Sequence, residues 1–209
     1  LRFDWDAYIG KLTSEIRMVV IENPNGFIGT AVPMDKLKAL IDKARKRGVL
    51  VLVDEAYHHF HKDTAQMWLS EYDNVVISRT FSKALGLAGL RAGYVLSQAK
   101  NIENIKKVRP MHEVTSLTAL VLSELLDSPG EYENYIKETT QNRETLFKEL
   151  DKLKIAHSDS VANFMAIRLK DITAHDGLRE ALKEQNILVR RPFREEQLKE
   201  WVRISTAPV

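Results

Sequence analysis

Cysteine is absent from the sequence of 209 residues, and this absence excludes two kinds of site. Without thiols the chain can form neither a disulfide framework nor a thiolate metal centre. Long apolar runs are absent too, since the longest, such as Val49 to Val53, fall far short of the roughly 20 residues that cross a bilayer. The first residues also lack the pattern of a signal peptide. We therefore expect a soluble protein that acts in the cytoplasm, without a membrane partner.

An excess of charge of one sign is missing as well. The 31 Lys and Arg residues are balanced by 29 Asp and Glu residues, which leaves a formal net charge of +2. The charge balance therefore predicts no nucleic-acid partner. Prolines and glycines are few, and the chain carries no internal repeat or low-complexity tract. This composition is typical of a globular chain that is long enough to form a large core and an enzyme site.

Strand and helix patterns alternate along the first half of the chain. A β-branched run at Ile16 to Glu22 predicts a strand, and the continuously apolar runs at Val49 to Val53 and Val75 to Ser78 predict strands of a parallel sheet that is covered on both faces. Between the first two runs, apolar residues at helical spacing predict a helix over Pro33 to Arg47. A further strand-like run covers Arg91 to Ser97. This alternation favours the α/β class.

The second half of the chain predicts a long helix followed by a smaller α/β unit. Helical patterns cover Ser116 to Leu126 and Tyr132 to Leu153. In the first of them we expect Leu120, Leu122 and Leu125 to be core residues. Beyond them the predicted elements are a strand-like segment at Phe164 to Leu169, a helix at Leu178 to Gln185, a strand at Ile187 to Val189 and a terminal strand at Val202 to Ser205. We therefore divide the chain into part of a large domain, residues 1–128, and a connecting helix with a small C-terminal domain, residues 129–209.

Polar side chains follow three successive predicted strands, where ligands bind in open α/β sheets. They are, in chain order, Asn25, Asp54, Tyr57, Thr80, Ser82 and Lys83. Lys83 is the most informative of them, because a desolvated amine is nucleophilic and can attach a carbonyl compound covalently. The glycine-rich patterns of nucleotide-binding loops are absent from the sequence, so a lysine that only clamps a nucleotide phosphate is disfavoured.

This polar set matches the chemical needs of pyridoxal 5'-phosphate (PLP). Asp54 can supply the anion that keeps the pyridine nitrogen protonated, and Tyr57 can donate a hydrogen bond to the phenolic oxygen of the ring. Two hydroxyl groups and a guanidinium are available to the phosphate from Thr80, Ser82 and Arg91. Each residue alone has a plainer explanation, such as a helix-capping Asp54 or a core Tyr57. Together with Lys83 they favour the cofactor.

Three segments carry a resemblance to a known family. The segments Asp54 to Tyr57, Ser78 to Ala84 and Gly86 to Tyr94 resemble the class I/II aminotransferases of PLP fold type I, and most of all the histidinol-phosphate aminotransferases. The similarity runs from Asn23 to Arg203. It implies the C-terminal part of a large, mostly parallel-sheet domain and a small α/β C-terminal domain, with the N-terminal part of the fold missing from this chain.

The resemblance also implies roles for individual residues. Lys83 would form the Schiff base with PLP, Asp54 would pair with the pyridine nitrogen, and Tyr57 would contact the ring oxygen. The phosphate would be bound by Thr80, Ser82 and Arg91. The substrate would be bound by Arg190 and Arg203, and either Arg191 or Arg194 could replace the first of these. The family further implies a homodimer that moves an amino group between an amino donor and a 2-oxo acid such as 2-oxoglutarate, in histidine biosynthesis.

The loop after the first strand departs from the family pattern. The family's sequence there carries an asparagine that is usually assigned to the ring oxygen, and this chain has Gly26 in its place. Asn25 is the nearest candidate to replace it. The family's glycine-containing phosphate loop and the aromatic side chain that stacks on the ring would both precede Leu1, so we expect the site in this chain to be incomplete.

Several other functions compete with aminotransfer. A phospho-amino-acid decarboxylase or an aromatic aminotransferase would share the Lys83 segment and differ in the substrate contacts. A non-catalytic PLP-binding domain is a further alternative, as is a phosphohydrolase with Asp54 as nucleophile, although that chemistry needs a second acid nearby. The histidines between Tyr57 and His61 lack the spacing of a known metal site, so we expect no metal.

Overall fold

The structure, a computed structural model, describes residues 3–169, 172–190, 193 and 195–206. Its larger sheet contains four strands in the spatial order β1-β2-β3-β4, namely Met18–Glu22, Leu50–Asp54, Val75–Thr80 and Gly93–Ser97. The first three strands are parallel, and β4 pairs with β3 in the antiparallel direction. The prediction of a mostly parallel sheet in an α/β fold is therefore confirmed.

Helices precede, connect and follow these strands. They are α1 (Trp5–Gly10), α2 (Met34–Arg45), α3 (Ala99–Lys106), α4 (Ser116–Asp127), α5 (Gly130–Lys152) and α6 (Ile172–Glu184). The predicted helix over Pro33 to Arg47 is α2, and its apolar side packs into one core cluster with the sheet residues Val51 and Val53. Burial of each large apolar side chain in this cluster contributes roughly 1.5–3 kcal/mol. Asp35 in the first turn and Arg45 in the last complement the helix dipole.

The second half forms a two-stranded antiparallel sheet. Its strands are β5 (Phe164–Arg168) and β6 (Trp201–Ser205). The strand predicted at Ile187 to Val189 is wrong, because residues 187–190 have irregular backbone and Leu188 is 85% exposed. Within the described part of the chain these residues pair with no strand. An apolar run without a paired neighbour cannot satisfy a strand's hydrogen bonds, so its composition alone was misleading.

Helix α4 also differs from expectation at its leucines. The helix lies where the sequence predicts it, but Leu117 and Leu120 are 64% and 67% exposed, whereas Thr118 is buried. The prediction that the leucines of α4 are core residues is therefore wrong for Leu120. No described element packs over this side of α4, and its apolar surface faces outwards.

The strand register brings acidic side chains together at one edge of the larger sheet. Glu22 of β1 is the direct partner of Asp54 of β2, and Asp54 is in turn the partner of Ser78 of β3. Directly paired residues of neighbouring strands project from the same face of a sheet. Glu22, Asp54 and Ser78 therefore lie side by side on one face, close to the carboxyl ends of their strands.

A buried ion pair fixes the turn that follows β2. Glu55 is 1% exposed, and its carboxylate accepts a hydrogen bond of 2.9 Å from Arg79 Nε. The hydroxyl of Thr64 donates to the same carboxylate and accepts from Arg79 Nη2, and the backbone of Ala65 donates as well. Because the carboxylate is fully bonded, the cost of burying its charge is offset. Glu55 and Arg79 thereby hold the neighbouring residues Asp54 and Thr80 in place.

Strands β5 and β6 together with the segment 155–163 before them, called the small unit below, pack against the loop that follows β1. The hydroxyl of Ser158 donates to the Ile28 carbonyl oxygen at 2.6 Å, and the Val161 amide donates to the Gly29 carbonyl oxygen at 2.9 Å. Gly29 has a φ of +78°, and a Cβ atom on it would lie 1.9 Å from Ser160 Oγ. Only glycine fits this contact. The loop is therefore held from the sheet on one side and from the small unit on the other.

Candidate active site

A small cavity lies at the carboxyl ends of β1 and β2. Its volume is about 190 Å³, and it is lined by Glu22, Pro24, Gly26, Asp54, Ala56, Tyr57 and Lys83. Three of the residues predicted to bind the cofactor therefore surround one space. This is the position at which open α/β sheets bind their ligands.

Lys83 lies in the turn that follows β3. Its Nζ atom is 5.4 Å from the centre of the Tyr57 ring. The turn is closed by a hydrogen bond of 3.2 Å from the Gly86 amide to the Lys83 carbonyl oxygen, and Gly86 has a φ of +70°, which favours glycine. The Lys83 side chain is exposed. The sequence predicted a desolvated, nucleophilic amine, and the described residues alone do not remove this amine from water.

Asp54 and Tyr57 lie on either side of a tight turn. The Asp54 carboxylate accepts a hydrogen bond of 3.1 Å from the Ala56 amide, so it caps the turn and lines the cavity at the same time. Tyr57 is 7% exposed, and its ring meets the edge of Phe164, with 5.1 Å between ring centres. The core tyrosine is thus a correct description of Tyr57, whereas Asp54 caps a turn and not the short helix that follows, whose first flanking residue is Tyr57. Neither contact prevents a role in the cavity.

Arg203 approaches the cavity from strand β6 of the small unit. Its guanidinium lies 4.7 Å from the centre of the Phe164 ring, and Nη1 donates a hydrogen bond of 2.8 Å to the Gly26 carbonyl oxygen. Burial lowers the pKa of Arg203, the positive charge of Arg190 lowers it further, and Tyr57 raises it. A continuous row of contacts therefore joins the two sheets, and it consists of Lys83, Tyr57, Phe164 and Arg203.

The three predicted phosphate ligands lie around the loop that carries Lys83. The Thr80 hydroxyl accepts from the Ser82 amide at 3.1 Å and donates to the Ala92 carbonyl oxygen at 3.3 Å. Arg91 is exposed, has a φ of +51° and donates to the Ala88 carbonyl oxygen at 3.1 Å. A non-glycine residue in this left-handed conformation is uncommon and marks a constrained turn. None of the three lines the small cavity itself.

Arg190, the other predicted substrate ligand, is exposed. It is close enough to influence Arg203 electrostatically, which places the two positive charges in the same region. Arg191 and Arg194, which could replace it, lie outside the described residues. The neighbouring Phe193 is buried and packs against Phe27 of the loop after β1, with 5.8 Å between ring centres.

The Asn25 side chain is engaged in its own loop. Its Oδ1 atom accepts hydrogen bonds from the amides of Phe27 and Ile28 at 2.9 and 3.1 Å, and its Nδ2 atom donates to Glu22 at 3.2 Å. Asn25 does not line the cavity that holds Lys83. Both ends of the amide therefore stabilise the loop.

Two residues of the site, Glu22 and Phe164, were not predicted from the sequence. Glu22 is the last residue of a predicted strand and lies at the same sheet edge as Asp54, but the rule that drew attention to Asp54 considers residues that follow a strand. Phe164 could not be found in this way, since its contacts with Tyr57 and Arg203 depend on how the small unit packs.

The histidines that follow Tyr57 are half-buried side chains with lowered pKa values. Burial lowers the pKa of His58 to about 4, and the charge of Arg79 lowers it further. The pKa values of His59 and His61 are also lowered, chiefly by burial. Among the residues that the structure describes, no group of three or more His, Asp or Glu is arranged to hold a metal ion. In the same residues no helix has both the length and the apolar character needed to cross a membrane.

Comparison with known proteins identifies the class to which this fold and site correspond. The chain belongs to the aminotransferase class I and II family, whose model matches residues 1–209. The cavity residues fit PLP, the cofactor of this class, because the lining includes an acid, a phenol and an amine, which are the kinds of group that its ring nitrogen, ring oxygen and aldehyde need as partners.

Within this family, the chain is similar to several histidinol-phosphate aminotransferases. The chain is 33% identical over 213 residues to the histidinol-phosphate aminotransferase 2 of Ralstonia nicotianae, covering 97% of this chain and 55% of that protein. A histidinol-phosphate aminotransferase from Sinorhizobium meliloti, solved in complex with pyridoxal-5'-phosphate, is similar with a TM-score of 0.83 and 25% identity, over 98% of this chain and 57% of that one. The chain thus spans about half the length of the curated relatives it matches.

A further solved structure shares the fold alone. The L-threonine-O-3-phosphate decarboxylase from Porphyromonas gingivalis has a TM-score of 0.80 and 22% identity, over 98% of this chain and 64% of that one. The same fold therefore carries decarboxylases as well as aminotransferases, and the contacts of the substrate must decide between them.

Proposed function

We propose that this chain carries the cofactor-binding centre of a PLP-dependent aminotransferase. The reaction moves an amino group between a donor, histidinol phosphate or an amino acid, and a 2-oxo acid such as 2-oxoglutarate. The observation that carries the proposal is the cavity at the strand ends, where Lys83, Asp54 and Tyr57 meet in a chain of the aminotransferase class I and II family.

The roles of the cavity residues follow from their chemistry. PLP, when bound, supplies an aldehyde for covalent attachment and a ring that withdraws electrons from the substrate carbon. The Asp54 carboxylate holds a proton at the ring nitrogen, and the Tyr57 hydroxyl donates a hydrogen bond to the ring oxygen. The Lys83 amine would be the point of attachment for the aldehyde, and as a free amine it would serve as the general base for the proton of the substrate carbon.

Anionic groups are bound at both sides of the cavity. Thr80, Ser82 and Arg91 hold the cofactor phosphate, since two hydroxyl groups and a guanidinium beside Lys83 form a suitable anion site. Arg203, assisted by Arg190, holds the carboxylate or phosphate of the substrate. The support for this assignment is that Arg203 reaches the row of aromatic rings that leads to Lys83. Histidinol phosphate is proposed as donor because curated relatives that are 33% and 35% identical to this chain carry that name.

The protein is further proposed to act as a homodimer in the cytoplasm. Dimers are typical of this family, and the outward side of α4 with the segment before it offers an apolar surface for such an association. Its exposed side chains include Val108, Met111, Val114, Leu117 and Leu120. Apolar patches of this kind are uncommon on isolated monomers and mark association surfaces.

One assay distinguishes aminotransfer from the decarboxylation that the shared fold also supports. Purified protein with PLP is given histidinol phosphate and 2-oxoglutarate, and in parallel a phospho-amino acid, while glutamate and CO₂ are measured. We expect glutamate without CO₂. The variant Lys83→Ala should lose at least about 10²-fold in rate because its general base is gone, whereas Lys100→Ala, an exposed lysine on α3, should retain it. Release of CO₂ without glutamate would contradict the proposal.

A further inference from the structure

Glu22 fills the space that a side chain at position 26 would occupy. A Cβ atom on Gly26 would lie 3.2 Å from Glu22 Oε2 and 3.6 Å from Glu22 Cδ. Gly26 is not among the glycines with positive φ, so its backbone conformation does not itself require glycine. What the glycine provides is room for a carboxylate, and position 26 is where the family resemblance places the asparagine of the ring oxygen.

The Glu22 carboxylate is fixed in this place by the loop. Its Oε2 atom accepts a hydrogen bond of 2.7 Å from the Gly26 amide and one of 3.2 Å from Asn25 Nδ2. The Gly26 carbonyl oxygen, on the other side of the same residue, accepts from Arg203. A carboxylate has about four acceptor sites, so Glu22 keeps acceptor capacity for a further group.

Glu22 also faces the cofactor cavity. It is the register partner of Asp54 at the strand ends, and it lines the same cavity as Asp54, Tyr57 and Lys83. The cavity is therefore bordered by two carboxylates. Asp54 is the proposed partner of the ring nitrogen, and Glu22 lies beside position 26, where the family has its asparagine.

We propose that Glu22 is a cofactor-site residue that replaces the family's asparagine and favours the proton-bearing form of the link between Lys83 and the cofactor. The inference rests on the proposed function. An amide donates a hydrogen bond to the ring oxygen, whereas a carboxylate can only accept. A negative charge close to a cation stabilises the protonated form, and loss of the amide donor acts in the same direction.

The visible absorbance of the bound cofactor tests this role without any measurement of turnover. Protein loaded with PLP is titrated with base, and the pH at the midpoint of the absorbance change is compared between the natural chain and Glu22→Gln. We expect the midpoint to fall by at least about one pH unit, a tenfold change in proton affinity. The matched control Glu103→Gln alters an exposed glutamate on α3 and should keep the midpoint.

The outcomes separate this inference from the proposed function. Equal midpoints in the natural chain and Glu22→Gln, with cofactor bound to both, would overturn the role of Glu22. A natural chain that shows no visible band of bound cofactor would instead contradict the proposed function.

A second pair of variants covers the case in which Glu22→Gln does not fold. Gly26→Asn alone should weaken PLP binding, measured by fluorescence quenching, because its side chain meets the Glu22 carboxylate. In the double variant Glu22→Ala with Gly26→Asn, the shortened side chain at position 22 leaves space for the asparagine amide at position 26. This variant should therefore recover PLP binding, and the pH at the midpoint of its absorbance change should be lower than in the natural chain. A double variant that titrates like the natural chain, or a Gly26→Asn variant that binds PLP equally well, would overturn the inference.

Discussion

At the scale of single residues, Arg203 connects the small unit to the loop after β1. Its guanidinium donates to the Gly26 carbonyl oxygen at 2.8 Å and lies over the Phe164 ring. Only one of its nitrogen atoms is engaged in this bond, and the planar group has further donors for an anion. The residue is thus both a structural contact and the proposed substrate ligand.

The variant Arg203→Lys separates these two roles. Lysine keeps the positive charge but loses the paired donors, and hydrogen bonds to charged groups contribute roughly 1.5–3 kcal/mol. We expect the KM for the anionic donor to rise about 10- to 100-fold with a much smaller change in kcat. Steady-state kinetics measure this split. Arg168→Lys, which alters an exposed pair with Glu200, is the control, and an unchanged KM in Arg203→Lys would contradict the assignment.

Residues of the site differ in how far the sequence could reveal them. Lys83, Asp54 and Tyr57 follow predicted strands, and a local rule about strand ends was enough to bring them together. Glu22 lies at the same sheet edge, but within the strand pattern rather than after it, so this rule did not select it. Phe164 joins Tyr57 across more than a hundred residues of chain, so its contact depends on packing that no local pattern contains.

At the scale of elements, the turn after β2 combines a buried ion pair with three histidines of lowered pKa. Glu55 lies 3.8 Å from His58 Nδ1, but its carboxylate is already bonded to Arg79 and Thr64. Its negative charge is therefore compensated, and burial lowers the pKa of His58 to about 4. The turn is consequently built for neutral histidine.

Acid should therefore destabilise the protein through this turn. In the unfolded chain His58 takes up a proton near pH 6.5, but in the folded chain only near pH 4, so stability present above pH 6.5 is lost as the pH falls towards 4. Because the ring is partly exposed, we expect His58 to account for a loss of about 1–2 kcal/mol rather than the full linkage value.

Urea unfolding at pH 7, 5.5 and 4.5 measures this effect. The variant His58→Gln should lose less stability on acidification than the natural chain, whereas His112→Gln, at an exposed histidine, should follow the natural chain. Identical pH dependence in the natural chain and His58→Gln would show that the turn tolerates the charged ring.

Elements were predictable where a repeated apolar pattern coincided with a face that is buried in the core. The strands β2 and β3 and the helix α2 lie within a few residues of their predicted bounds, because apolar runs and helical spacing reflect the core that they enter. The strand expected at Ile187 to Val189 failed, since three apolar residues without a partner carry no information about pairing. The prediction for Leu120 of α4 failed for a related reason. Apolar residues at helical spacing indicate an apolar face of the helix, but they do not identify the element that would cover it.

At the scale of the whole molecule, the exposed apolar side of α4 is the surface at which we expect association with a partner. Leu117 and Leu120 lie one turn apart and are both more than half exposed. Burial of each such side chain contributes roughly 1.5–3 kcal/mol. A second copy of the chain is the partner that we propose for it.

Replacing both leucines should weaken self-association. We expect the double variant Leu117→Glu with Leu120→Glu to raise the dimer dissociation constant at least about tenfold, since charges cannot be buried there without large cost. Sedimentation velocity over a concentration series measures it. Met67→Glu, at an equally exposed side chain next to Trp68, is the control. Unchanged association in the double variant would place the interface elsewhere.

The attachment of the cofactor at Lys83 is the claim on which the other roles depend. Borohydride reduction of the purified protein with PLP makes the link permanent, and peptide mass spectrometry then locates it. We predict a single modified lysine, Lys83, and loss of the label in Lys83→Arg, while Lys100→Ala keeps it. A label on another lysine, or no label in protein that holds PLP, would contradict the account.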